Sequence, residues 1–196
     1  MKRVDISAGA ILLLSVIYFF GGITSLAALL LAVIVHELGH IAAIALYGGR
    51  VHGLKVSISG LCIICSGAGG TIESVICLCA GPAAGFALAY AASYFGNLSQ
   101  NLLLIKTAGF SFVLSVYNSL PALPLDGGRA LESIARCFGG TVFAQTLLEF
   151  TGMLTGAALL FAGAFFIRRQ FGAALLIAGA WVLTAQTGIV KSGSML

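Results

Sequence analysis

The sequence predicts an all-α polytopic membrane protein, with about six transmembrane helices and a re-entrant β-hairpin-like loop after the second. Hydrophobic residues make up 60% of the 196 residues. Charged residues make up 8%, about a third of the share in an average soluble domain. A helix needs roughly 20 residues to cross a bilayer, and apolar stretches of about this length recur along the chain up to the C-terminus.

The same numbers exclude three other classes of protein. A chain this apolar is neither disordered nor a disulfide-stapled secreted module. A net charge of +4, scattered along the sequence, is too small for a surface that follows phosphates, so no nucleic acid is expected as a partner. The expected surroundings are the lipid bilayer.

Six apolar segments are predicted to span the membrane. The first two lie in one apolar stretch from Ile6 to Tyr47 and are joined by a tight turn at residues 21–24. The last two carry no residue with evident chemistry and are expected to close the helix bundle. The predicted spans are 7–21, 25–47, 74–96, 102–120, 142–167 and 172–189. Seven Lys and Arg residues fall on one side and three on the other, which favours cytoplasmic N- and C-termini.

Residues 48–72 are predicted not to span. This stretch is rich in glycine and has a short β-like alternation at residues 56–59. Irregular backbone at membrane depth persists only when it is buried in protein or lines a wet cavity. The stretch is therefore either a re-entrant hairpin or a loop at the membrane interface.

The second predicted span contains the sequence His36-Glu37-Leu38-Gly39-His40. Four residues are just over one helical turn, so both imidazoles project from one face and can share a tetrahedral metal ion. Glu37 lies next to that face, where it can take a proton from a metal-bound water. With three histidines and four glutamates in the chain, such a match is expected by chance about 0.001 times. A buried polar pair and haem ligation are alternatives, but neither explains Glu37.

A catalytic zinc site needs a third protein ligand. Asp126 stands out by its context, because Pro121 and Pro124 end the helix of the fourth predicted span and two glycines follow the aspartate. Such a break can aim one carboxylate sideways, but Asp126 can equally cap the helix that follows. The acidic candidates away from the termini are Glu73, Asp126, Glu132 and Glu149.

These motifs resemble those of the site-2 protease family of intramembrane zinc metalloproteases, in particular its bacterial branch typified by stage IV sporulation protein FB. His-Glu-Leu-Gly-His at 36–40 and Asn-Ser-Leu-Pro-Ala-Leu-Pro-Leu-Asp-Gly-Gly at 118–128 carry the resemblance. Residues 69–73 and 80–82 are similar too. The resemblance covers roughly residues 24–130.

The resemblance implies a Zn²⁺ cofactor held by His36, His40 and Asp126, with Glu37 as the general base. It implies that Asn118 donates a hydrogen bond to the oxyanion, although a bond that packs helices is the alternative. The implied substrate is a membrane-spanning or membrane-associated protein, such as a transcription factor precursor or a remnant signal peptide, in a bacterial cell membrane. The resemblance also allows for inhibitory membrane partners and regulated proteolysis, as in sporulation.

The domain expectation is a single integral-membrane metalloprotease domain over residues 1–196. Its core is 24–130, helices over 142–189 are accessory, and no CBS or PDZ domain is expected. Residues 56–66 are expected either to pair with an unwound substrate strand or to plug the site. The main alternative function is a membrane metal-binding or transport protein without protease activity, although no internal repeat supports it.

Overall fold

The structure is a computed structural model that describes residues 4–6, 8–48, 50–57, 60–66, 70–167 and 172–193, with side chains described at 15, 17–48, 70–167 and 172–186. Over these residues the chain forms a small sheet and long apolar helices. The elements in order are β1 (Val4–Ile6), α1 (Ala8–Leu46), β2 (Arg50–Ser57), β3 (Gly60–Ser66), α2 (Thr71–Ser99), α3 (Leu102–Asn118), α4 (Asp126–Phe165) and α5 (Gly172–Gly193).

Within the part of the chain that the structure describes, three helices are long and apolar enough to cross a membrane: Ile17–Leu46, Thr71–Ser99 and Asp126–Phe165. Two more apolar helices among these described residues, Leu102–Asn118 and the Gly172–Gln186 part of α5, are shorter. The protein is therefore a helical membrane protein by length and composition. The number of six spans and their orientation stay predictions.

Helix α1 contains both of the first two predicted spans and bends between them. Gly22 has φ +69°, a left-handed value that glycine adopts at little cost. Next to this break, Lys106 Nζ on α3 donates to Ser25 Oγ at 2.8 Å and to the Gly21 carbonyl oxygen at 3.5 Å. A cation near carbonyls at a helix end is favourable, so Lys106 stabilises the bend.

The three helices of the first compact unit, Met1–Asn118, pack on one another. Small residues permit close contact, as is usual between membrane helices. A Cβ at Gly39 of α1 would lie 2.6 Å from the Ala80 carbonyl oxygen of α2. Ser111 Oγ on α3 donates to the Gly85 carbonyl oxygen of α2 at 2.8 Å.

The strands of this unit form one three-stranded sheet in the order β1-β2-β3. β1 runs parallel to β2, with Val4 opposite Leu54, and β2 runs antiparallel to β3, with Leu54 opposite Ile63. β2 and β3 lie within the stretch expected to be a re-entrant hairpin, and residues 58–59 between them lie outside the described part. Whether this stretch re-enters the membrane stays a prediction.

The second compact unit, Ser119–Leu196, contains α4 and α5 packed against each other. α4 bends at Gly140, where φ is +73°, so one element includes both a short helix after Asp126 and the fifth predicted span. Gly156 lies against α5, and a Cβ there would come 2.6 Å from Leu183 Cδ2. The domain expectation for residues 1–196 stays a prediction.

Candidate metal centre

Helix α1 places His36 and His40 one turn apart with their rings facing each other. The two Nε2 atoms are 3.3 Å apart, and the ring planes cross at 79°. His36 is 3% exposed and His40 is 8% exposed, so both imidazoles are shielded from the surroundings. The predicted pairing of these residues on one face therefore holds in the structure.

A backbone carbonyl of α2 fixes the orientation and the tautomer of His40. His40 Nδ1 lies 2.7 Å from the Cys77 carbonyl oxygen, which can only accept a hydrogen bond. The proton of a neutral His40 is therefore on Nδ1, and Nε2 presents its lone pair towards His36. Such a bond to the remote ring nitrogen is the usual support of a metal-bound histidine.

Glycine 81 lets α2 approach this imidazole. Gly81 is buried, and a Cβ built on it would lie 2.5 Å from His40 Cε1 and 2.6 Å from Cδ2 and would overlap Nε2. Gly81 is four residues after Cys77, so the two positions share one face of α2. One turn of α2 thus supplies both the acceptor for the ring and the space for it.

Glu37 and Asn118 are both half-buried. Glu37 follows His36 directly on α1, as the predicted role of a general base requires. Asn118 is the last residue of α3, and its Nδ2 donates to the Leu114 carbonyl oxygen at 3.1 Å. An amide nitrogen carries two donor hydrogens, so this bond leaves the role predicted for Asn118 open.

Asp126 is the first residue of α4. The cap position before it is taken by Leu125, without a side-chain cap bond, so the structure does not use Asp126 as the cap. Gly127 and Gly128 lie against the backbone of the preceding loop, where a Cβ at Gly128 would come 2.7 Å from Leu123 N. The two glycines therefore let residues 119–125 fold back over the start of the helix.

The other acidic candidates have different surroundings. Glu73 Oε2 accepts a hydrogen bond from the Gly70 backbone N–H at 3.2 Å, at the start of α2. Glu132 pairs with Arg136 one turn later on α4, and Glu149 is exposed. Asp126 thus remains the acidic residue to consider as a third ligand.

On α1 the structure brings together two candidate ligand atoms for a metal ion, the Nε2 nitrogens of His36 and His40. Two nitrogens bound to one tetrahedral zinc at about 2.0–2.1 Å lie about 3.3–3.4 Å apart. The observed 3.3 Å between the Nε2 atoms matches this spacing. Imidazole nitrogens are donors that zinc accepts.

The chain was also compared with known proteins. It superimposes on the site-2 protease from Methanocaldococcus jannaschii with a TM-score of 0.67, over 90% of this chain and 85% of that one. The chain therefore shares the fold of that protein. The two sequences are 17% identical, so the likeness concerns the fold and does not distinguish the sporulation branch. No protein-family model and no curated protein matches the sequence of this chain.

One buried amide that the sequence analysis does not single out is Gln186. This residue of α5 is 2% exposed, and its Nε2 donates to the Leu123 carbonyl oxygen at 3.3 Å. Its signal in the sequence is a lone amide inside an apolar helix, which belongs to no recognisable motif.

Proposed function

We propose that this protein is an intramembrane zinc metalloendopeptidase that cleaves a membrane-embedded or membrane-tethered protein. One observation carries the proposal: the two Nε2 atoms of the pair on α1 lie 3.3 Å apart, with the proton of His40 kept on Nδ1 by the Cys77 carbonyl. This arrangement places the two Nε2 atoms at the spacing of two ligands of one metal ion. The adjacent Glu37 and the site-2 protease fold support hydrolysis rather than metal storage.

His36, His40 and Asp126 would hold the zinc ion. Bound in such a site, zinc supplies Lewis acidity that polarises a carbonyl and lowers the pKa of a bound water towards about 7. The Glu37 carboxylate accepts the proton of the attacking water at one of its oxygens. It then delivers this proton to the leaving amine nitrogen, the usual double role of a general base in peptide hydrolysis.

Asn118 Nδ2 would donate its remaining hydrogen to the oxygen of the scissile carbonyl as negative charge develops there. A donor of this kind contributes about 3–4 kcal/mol to the stability of a transition state in other hydrolases. The bond to the Leu114 carbonyl oxygen would hold the amide in place, so that no reorganisation is needed during the reaction.

The substrate would be a single-span precursor of a transcription factor or a remnant signal peptide, unwound locally so that its carbonyls are accessible. The six-span topology, cytoplasmic termini, inhibitory membrane partners and a bacterial cell membrane belong to the same proposal. β3 is an edge strand of the described sheet, so an extended substrate can add to it by backbone hydrogen bonds. The alternative that this stretch plugs the site stays open.

The test is co-expression with tagged single-span substrates, comparing the wild type with Glu37→Gln. We expect about one zinc per chain in both proteins by metal analysis, and loss of cleavage by at least about 100-fold in the variant. Glu149→Gln is the matched control, because it makes the same chemical change at an exposed carboxylate of α4 and should cleave normally.

Two results would contradict the proposal. Cleavage that persists in Glu37→Gln would show that Glu37 is not the general base. Cleavage by wild-type protein without any bound metal would show that zinc is not required. Zinc movement into sealed vesicles that Glu37→Gln leaves unchanged would instead support the transport alternative.

A further inference from the structure

The side chain of Gln186 is a primary amide buried in an apolar helix pair. It is 2% exposed, and burying an amide without a hydrogen bond costs several kcal/mol by transfer scales. The structure satisfies one donor with a carbonyl from outside its own helix: Gln186 Nε2 to the Leu123 oxygen, 3.3 Å. This bond connects α5 to the loop that leads into Asp126.

Backbone hydrogen bonds connect residues within that loop, 119–125. The backbone N–H of Ala122 donates to the Leu120 oxygen at 2.8 Å, and that of Leu125 donates to the Ala122 oxygen at 3.0 Å. Pro121 and Pro124 have no N–H to contribute. The Leu123 carbonyl, three residues before Asp126, receives its donor from a buried side chain of α5.

Helix α4 is shaped around the same amide. A Cβ at Gly152 would lie 2.9 Å from Gln186 Cγ and would overlap its Cδ and Nε2. Gly152 is buried, so the amide lies against the backbone of α4 because this position has no side chain. Gly152 of α4 and the Leu123 carbonyl of the loop therefore both contact the buried amide of Gln186.

We propose that Gln186 is a positioning residue for the metal centre: it holds the 119–125 loop and thereby the carboxylate of Asp126. The inference rests on the proposed function in that Asp126 is taken as a zinc ligand. Partners that orient metal ligands typically change metal affinity by about 10–100-fold when they are removed. The same range is expected for loss of the bond between Gln186 and Leu123.

The test uses the full chain, purified in detergent and loaded with zinc or cobalt. Gln186→Met keeps the length of the side chain and removes the donor, and we expect zinc affinity, measured against a chelator, to fall about 10–100-fold. Gly152→Ala displaces the amide without changing it and should weaken binding in the same way. The visible spectrum of bound Co²⁺ should change in both variants, because it reports the ligand geometry directly.

Gly156→Ala is the matched control. It adds the same methyl group to the same face of α4, but against Leu183, so it perturbs the helix pair without contacting Gln186. Its zinc affinity and Co²⁺ spectrum should stay close to those of the wild type. If Gln186→Met does not fold, the zinc affinities and Co²⁺ spectra of Gly152→Ala and Gly156→Ala are sufficient to test the proposal.

The outcomes separate the two proposals. Wild-type protein that binds no zinc would overturn the proposed function. Wild-type protein that binds zinc while both Gln186→Met and Gly152→Ala keep its affinity and spectrum would overturn this inference only. A loss in Gly156→Ala as large as in Gly152→Ala would also overturn it, because helix packing and not the amide would then set the affinity.

Discussion

Substitution of Gly81 by alanine should damage the candidate metal centre from outside its ligand set. The new Cβ would lie 2.5 Å from His40 Cε1, where carbon atoms in favourable contact are about 3.5–4.0 Å apart. The ring must therefore retreat by about 1 Å, which strains or breaks the 2.7 Å bond between Nδ1 and the Cys77 oxygen. Metal sites keep their distances within about 0.2 Å, so a shift of this size moves Nε2 out of bonding position.

We expect Gly81→Ala to weaken zinc binding by about 10–100-fold and to lower the free energy of unfolding by about 1–3 kcal/mol. Chelator competition measures the first and denaturation in mixed micelles the second. Gly109→Ala is the control, since Gly109 is exposed on α3 and a Cβ there meets nothing within 4 Å. If Gly81→Ala binds zinc within about threefold of the wild type, the fit of α2 around His40 does not set the affinity.

Two further substitutions test the packing of the first unit. Lys106→Met removes the donor to Ser25 Oγ at the bend of α1, and it should lower the free energy of unfolding by about 1.5–3 kcal/mol in mixed micelles; an unchanged value would contradict the stabilising role. Gly39→Ala places a Cβ 2.6 Å from the Ala80 oxygen and 2.7 Å from Ala84 Cβ, and it should cost about 1–3 kcal/mol. If the Gly39→Ala variant unfolds with the same free energy as the wild type, the close contact of α1 and α2 at Gly39 does not contribute to stability.

The site geometry that spacing alone predicts is local. His36 and His40 come together because an α-helix repeats every 3.6 residues, so their spacing alone places both rings on one face. The support for His40 depends instead on which turn of α2 lies opposite α1. The Cys77 carbonyl is a backbone atom, and no side-chain pattern in the sequence indicates its role.

The helix boundaries, too, are predicted where the signal in the sequence is local. The turn predicted at residues 21–24 corresponds to the bend at Gly22, because a glycine pair in an apolar stretch is a strong local signal. The start of α4 at Asp126 follows from the prolines before it, which cannot continue a helix. The sequence analysis does not predict that the short segment after Asp126 and the fifth predicted span form one helix. In the structure they are one element, because Gly140 bends the helix and does not end it.

Glycines on these helices serve two different purposes, and the distinction matters for the site. Gly39 and Gly156 face the backbone or an apolar side chain of the neighbouring helix, so they only bring helices together. Gly81 and Gly152 each face one buried polar side chain, His40 and Gln186 respectively. In a bilayer, where apolar side chains gain little by leaving lipid, close backbone contact is a main way to fix a polar group. Residues without any functional group therefore set the geometry here. For this reason, a search for ionisable side chains finds the candidate ligands but not the glycines beside them.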